Sequence, residues 1–172
     1  MNKSVLALVV TAALAAFAQA ESTVKLTGVH LCCKSCVKGA DKAVTSISGA
    51  TSVSDGDEGT VTVTAPDDAT AQKAVDALVA AGYFGKSENP AIKVNADTGA
   101  KDGKVASVAV NDVHLCCPKC VKAVNGAVSE VTGVTSNTAE KNAKTFEVKG
   151  DFSPKEVATS LQKAGLTGKV GN

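Results

Sequence analysis

The sequence predicts an α+β chain made of two tandem β-α-β-β-α-β units, and three observations carry that expectation. A cysteine-rich motif occurs twice, the apolar spacing after each copy runs through the same order of strand and helix periods, and a polar stretch of small residues separates the copies. Val29-His30-Leu31-Cys32-Cys33-Lys34-Ser35-Cys36-Val37-Lys38 recurs as Val113-His114-Leu115-Cys116-Cys117-Pro118-Lys119-Cys120-Val121-Lys122. The same offset relates Ala43 to Ala127, Val44 to Val128 and Gly49 to Gly133; one residue shorter, it relates Leu78 to Leu161, Ala81-Gly82 to Ala164-Gly165 and Gly85 to Gly168.

Each element follows from its own pattern. Val24 and Leu26 alternate with Lys25 and Thr27 as a strand, and Val105 to Val110 repeats this. After each cysteine cluster, Val37, Ala40, Val44 and Ile47, and then Val121, Val124, Val128 and Val131, keep the spacing of one helix face, with Gly49 and Gly133 expected to stop the helices. Two β-rich stretches follow, at 51–54 and 60–64 around Asp55-Gly56-Asp57-Glu58-Gly59, and at 135–138 and 144–149 around Glu140-Lys141-Asn142. The second helix is announced by Asp67 or Asp68 as a cap in one copy and by Ser153-Pro154-Lys155-Glu156, an N-cap serine with a capping-box glutamate, in the other. A short last strand is expected near 91–94 and near 168–170. The expected units are 22–94 and 104–172, joined by a flexible linker at 95–103, each unit roughly 70 residues and thus within the size that folds alone.

Residues 1–20 read as a signal peptide: Lys3, the apolar run from Val5 to Phe17, then Ala18-Gln19-Ala20 before the expected cleavage point near Ala20. The apolar run is shorter than the roughly 20 residues that span a bilayer. A soluble periplasmic or secreted protein without stable membrane insertion is therefore expected. Lys+Arg 18 against Asp+Glu 17, a net charge of +1 and 3% aromatics with no Trp predict no nucleic-acid partner, since neither a basic track nor stacking surfaces can be built.

All six cysteines and both histidines lie in the two clusters. A disulfide scaffold spreads its cysteines to tie distant segments, whereas these are packed to converge on an ion. If Leu31 points into the core, His30 and Cys32 point the other way, Cys33 enters the loop, and Cys36 falls in the first helical turn, where N–H groups favour a thiolate. The candidate metal ligands are Cys33 and Cys36, with Cys32 and then His30 as further donors, and correspondingly Cys117, Cys120, Cys116 and His114.

Each copy thereby resembles a heavy-metal-associated domain, the module of copper chaperones, metal-pumping ATPase N-termini and the periplasmic mercury-binding protein. That family's Gly-Met-x-Cys-x-x-Cys aligns with His30-Leu31-Cys32-Cys33-Lys34-Ser35-Cys36 and with its repeat, and its Ala-Gly-Tyr with Ala81-Gly82-Tyr83, which is Ala164-Gly165-Leu166 in the second copy. The resemblance implies two ferredoxin-like domains, a non-enzymatic role in binding, carrying or sequestering a thiophilic ion, and a metal transporter or another metal-binding domain as partner. His in place of the family's Gly and Cys at its variable position enlarge each site to three sulfurs, or to three sulfurs and one nitrogen. Soft thiolates favour Cu(I), a Cys3His set also suits Zn(II), and Hg(II) is a further thiophilic alternative. About two ions, one per independently folded repeat, are expected. The competing reading is a thiol-disulfide oxidoreductase using the CxxC pairs, for which the units are short and the vicinal third Cys has no use.

Overall fold

The computed structural model describes residues 21–171; the expected signal peptide at 1–20 lies outside them. In the first unit β1 (Ser22–Thr27), α1 (Lys34–Thr45), β2 (Thr51–Asp55), β3 (Thr60–Ala65), α2 (Asp68–Ala80) and β4 (Lys86–Ser87) form an antiparallel sheet of order β2-β3-β1-β4. The second unit repeats this with β5 (Val105–Asn111), α3 (Pro118–Ser129), β6 (Val134–Asn137), β7 (Thr145–Phe152), α4 (Pro154–Lys163) and β8 (Lys169–Val170), in the order β6-β7-β5-β8. The fold is the ferredoxin-like β-α-β-β-α-β arrangement twice over. No helix among the described residues is long and apolar enough to cross a membrane.

Alternation decides which sheet face the helices cover. Val24 and Leu26 on β1 and Val61 and Val63 on β3 are fully buried, and against them lie Ala40 and Val44 of α1 and Ala71, Ala74, Val75 and Leu78 of α2. In the second unit Val110, Phe146, Val148 and Phe152 meet Val124, Val128, Val157 and Leu161. The central register pairs Val24 with Val63 and Val108 with Val148.

Four expectations are corrected. The last strand of the first unit is Lys86–Ser87, paired with Thr27 and Leu26, and not 91–94. The apolar residues there serve a different contact: Gln72 on α2 clamps Lys93, donating from Nε2 to its carbonyl at 2.7 Å and accepting its N–H on Oε1 at 2.8 Å, while Ile92 is buried. Helices α1 and α3 end before Gly49 and Gly133, where Thr45 and Ser129 turn their hydroxyls onto carbonyls of the last turn, Asp41 O and Gly126 O, at 2.8 Å each. Ser153 occupies the N-cap of α4, yet its side chain makes no capping bond and its carbonyl accepts Glu156 N–H instead. Asp67 is the true side-chain cap of α2, accepting Thr70 N–H at 2.6 Å. Lastly, residues 95–103 are docked rather than free: Thr98 O accepts Val170 N–H at 2.6 Å and Asp97 O accepts from Lys169 Nζ, so the segment covers the open edge of β8.

The two units meet about a pseudo-two-fold axis. The turns after α2 and α4 form an antiparallel bridge between Tyr83 and Leu166, with Phe84 N–H donating to Gly165 O at 3.1 Å and Thr167 N–H to Gly82 O at 3.0 Å. Tyr83 and Leu166 are fully buried there, and the two hydrophobic cores merge into one cluster. Gly82 and Gly165, at φ of 88° and 76°, are needed twice over, for the left-handed backbone and because a Cβ at either would strike the loop of the other unit.

Candidate metal centre

Both cysteine motifs sit in a loop between strand and helix. β1 ends at Thr27, yet the alternation persists beyond it: Val29 and Leu31 are buried while His30 and Cys32 are half-buried on the other side, and likewise Val113 and Leu115 are buried while His114 and Cys116 are half-buried. The first loop is held by Val29 N–H to Gly59 O at 2.8 Å and by His30 N–H to Gly165 O of the other unit at 3.1 Å; the second is held by Asn142 N–H to Leu115 O at 2.7 Å. Cys33 and Cys117 are the N-cap residues of α1 and α3, in extended conformation, and Cys36 and Cys120 project from the first turns, fully buried.

The pseudo-two-fold axis brings all six thiols together, every one of them free. Within a unit, Cys36 Sγ lies 3.6 Å from Cys32 Sγ and 3.4 Å from Cys33 Sγ, and Cys120 Sγ lies 3.8 Å from Cys116 and 3.6 Å from Cys117. Across units the spacings are as short: Cys32 to Cys117 3.3 Å, Cys36 to Cys116 3.2 Å, Cys32 to Cys120 3.5 Å, Cys36 to Cys120 3.6 Å and Cys33 to Cys116 3.8 Å. Sets of donor atoms within 4.8 Å of one another, Cys32/Cys36/Cys117/Cys120, Cys33/Cys36/Cys116/Cys117 and Cys36/His114/Cys116/Cys120, all draw on both units. The expected division into two separate ligand sets is therefore not how the side chains are arranged.

The electrostatics separate outer from inner thiols. The backbone N–H of Cys36, together with the Cys36 and Cys116 side chains, holds the Cys33 thiol below its ordinary value. For Cys117 burial works the other way but is outweighed by the amides of Cys120 and Lys119 and the thiols of Cys32 and Cys120, which bring it down to about 6. Burial pushes the Cys32 and Cys36 thiols up, reinforced by neighbouring thiols, and pushes Cys116 up to about 12. The helix-terminal amides thus act on the N-cap Cys33 and not, as the sequence suggests, on Cys36, whose burial dominates. The site thus sets outer thiols whose ionisation neighbouring amides favour, Cys33 and Cys117, beside Cys32, Cys36 and Cys116, whose ionisation burial opposes.

The histidines differ between units. His114 stacks on the Tyr83 ring, centroids 4.5 Å apart, and its Nε2 lies 3.1 Å from the Tyr83 hydroxyl, which itself donates to Cys36 O at 2.8 Å. His30 has no such partner, because the residue corresponding to Tyr83 is Leu166; its Nε2 is buried without a hydrogen bond. Burial disfavours the charged form of both rings, His114 also feeling the His30 charge. The donor sets include His114 but not His30. Sequence reasoning passed over Tyr83 as a site residue, although it is the one Tyr of the chain. It also missed Gly39, where a Cβ would strike the Tyr83 hydroxyl; its counterpart in the second unit is Ala123.

Residues 107–167 match the family model of the heavy-metal-associated domain. No curated protein matches the chain. Among solved structures it is similar to oxidised MerP from Ralstonia metallidurans CH34, at 22% identity and a TM-score of 0.36 over 38% of this chain and 96% of that one. It is also similar to the N-terminal soluble domains of Bacillus subtilis CopA, at 14% identity and a TM-score of 0.32 over 88% and 95%. The water-soluble region of the P-type ATPase CopA from the same organism gives 14% identity and 0.29 over 88% and 92%.

Proposed function

We propose, for a chain that carries a heavy-metal-associated domain at residues 107–167 and the same topology in its first half, that it is an exported, soluble binder and carrier of a thiophilic metal ion and does its work without catalysis. The observation that supports this best is the convergence of six free thiols at one place, half-buried at the rim and fully buried at Cys36 and Cys120. A donor set of closely spaced sulfurs selects soft ions over hard ones; Cu(I) is the favoured ion, with Zn(II) and Hg(II) as alternatives. The proposed ligands are Cys32, Cys33, Cys36, Cys116, Cys117 and Cys120. His114 is an accessory donor, and His30 takes a supporting place. The N-cap thiols Cys33 and Cys117 face outward, where a metal transporter or another metal-binding domain can exchange ligands with them. The proposed location is the periplasm or the exterior, after cleavage near Ala20.

The test is metal analysis of reduced protein purified without oxygen, with Cu(I) titrated against a competing chelator and thiols counted after stripping. Retention of Cu(I) against the chelator, with six titratable thiols afterwards, is the expected result. Turnover of a dithiol substrate with no retained metal would replace this reading by a thiol-disulfide oxidoreductase. Sequencing the N-terminus of the exported protein checks the cleavage point.

A further inference from the structure

We propose that the six thiols of the two repeats form a single polynuclear Cu(I)–thiolate centre bridged by Cys36 and Cys120, and not two independent one-ion sites. The inference rests on the soft-metal reading above and goes beyond it in the number of ions and the sharing of ligands.

The first ground is the pattern of neighbours. Every Sγ has a neighbour in its own repeat and another in the opposite repeat, at 3.2 to 3.8 Å. A metal–sulfur bond of about 2.3 Å places two sulfurs about 3.8 Å apart in a tetrahedral site, about 4.0 Å in a trigonal one and about 4.6 Å across a linear one. The observed spacings, from 3.2 Å for Cys36–Cys116 to 3.8 Å for Cys33–Cys116, lie at or somewhat below the tetrahedral value and far from the linear arrangement that a lone CxxC pair supplies.

The second ground is how these contacts close. They form four triangles of mutual neighbours, Cys33/Cys36/Cys116, Cys36/Cys116/Cys120, Cys32/Cys36/Cys120 and Cys32/Cys117/Cys120. Each triangle is a face on which Cu(I) finds three sulfurs, and no triangle lies within one repeat. Cys36 and Cys120 each belong to three of the four, which makes them the bridging sulfurs, and they are also the two fully buried ones.

The third ground is the fixed orientation of the repeats. The Tyr83–Leu166 bridge and the Tyr83–His114 contact hold the repeats in the orientation that the shared triangles require. Each thiol loses its proton to solvent as its sulfur–copper bonds form, with no change in the oxidation state of copper or sulfur.

The experiment uses the full mature chain, reduced and free of oxygen, titrated with Cu(I) against a competing chelator and read by native mass spectrometry and copper X-ray absorption. The expected result is cooperative filling to about four ions per chain, one per triangle, with a copper–copper scattering shell. Replacing Cys36 by Ser should reduce the count to about one and remove the copper–copper shell, because three of the four faces lose a corner and only Cys32/Cys117/Cys120 stays whole. The wild-type absorption spectrum decides the question even if that variant folds poorly. Saturation at two ions without copper–copper scattering overturns the shared centre and leaves a two-site metal carrier. Failure to retain Cu(I) against the chelator overturns the soft-metal reading itself.

Discussion

Tyr83 ties together three things that the sequence keeps apart: the end of α2, the carbonyl of Cys36 and the imidazole of His114. Replacing it with Phe removes a buried hydroxyl that serves two partners. The expected cost is about 1–3 kcal/mol, because Cys36 O and His114 Nε2 both lose a bond; chemical denaturation of the two proteins side by side measures it. Gly39→Ala should also destabilise, since its Cβ would sit on the Tyr83 hydroxyl, whereas Ala123→Gly, at the corresponding position facing no Tyr, should change stability by only the ordinary helix penalty of about 1 kcal/mol. Equal losses at both positions would show that the hydroxyl's position is not what Gly39 protects. The exchange of Tyr83 and Gly39 for Leu166 and Ala123 is visible in the aligned repeats, but its meaning is not, because Tyr83 meets Gly39 only through the packing of its own unit and His114 only across to the other.

Among the elements, α2 has the clearest dependence on a single side chain. The Thr70 amide and hydroxyl hold the Asp67 carboxyl below the usual range. A carboxylate whose folded-state pKa is depressed contributes stability that is present above its unfolded value of about 4 and fades as pH falls through the folded value. Asp67→Ala should therefore lower Tm at neutral pH by a few degrees, and the gap to wild type should close in acid; thermal melts by circular dichroism across that range provide the check, and a gap independent of pH would assign the effect to something other than the carboxylate. Ser153→Ala should leave Tm almost unchanged, as its hydroxyl makes no capping bond. Both residues carry the same sequence signal, S/T/D followed three residues later by a polar partner. What accompanies the difference is the N-cap backbone, φ −159° and ψ 167° at Asp67 against φ −85° and ψ 123° at Ser153, which the shared pattern does not encode.

At the scale of the whole molecule the decisive feature is the joining of two cores. Gly165→Ala places a Cβ against the His30 amide at 2.6 Å and forces an L-residue to φ of 76°. The left-handed conformation alone costs about 1–2 kcal/mol, and the clash adds to it. Unfolding should change from one transition to two as the repeats separate, and cooperative Cu(I) uptake should be lost with it; calorimetry and metal titration of the same sample report both. A single transition with unaltered uptake would mean that the interface tolerates the change. The isolated units 22–94 and 104–172, cut free of each other, would each expose Tyr83 or Leu166 and should melt below the intact chain.

The sequence by itself determined the class of the fold, the order of its elements, the duplication and the residues that can bind a soft ion, because periodicity, turn chemistry and ligand type are local properties of the chain. It placed α1, α3 and the central strands well, but it put the last strand of the first unit at 91–94, where Ile92 is buried without sheet pairing and Gln72 of α2 holds the Lys93 backbone. Tertiary structure alone decided that the two ligand sets become one. That outcome depends on the relative orientation of the repeats, which is set by backbone bonds between the Gly82 and Gly165 turns and by the burial of Tyr83 against His114. Contacts of that kind join residues far apart in sequence, and a pattern read along one copy holds no information about which face it turns toward the other.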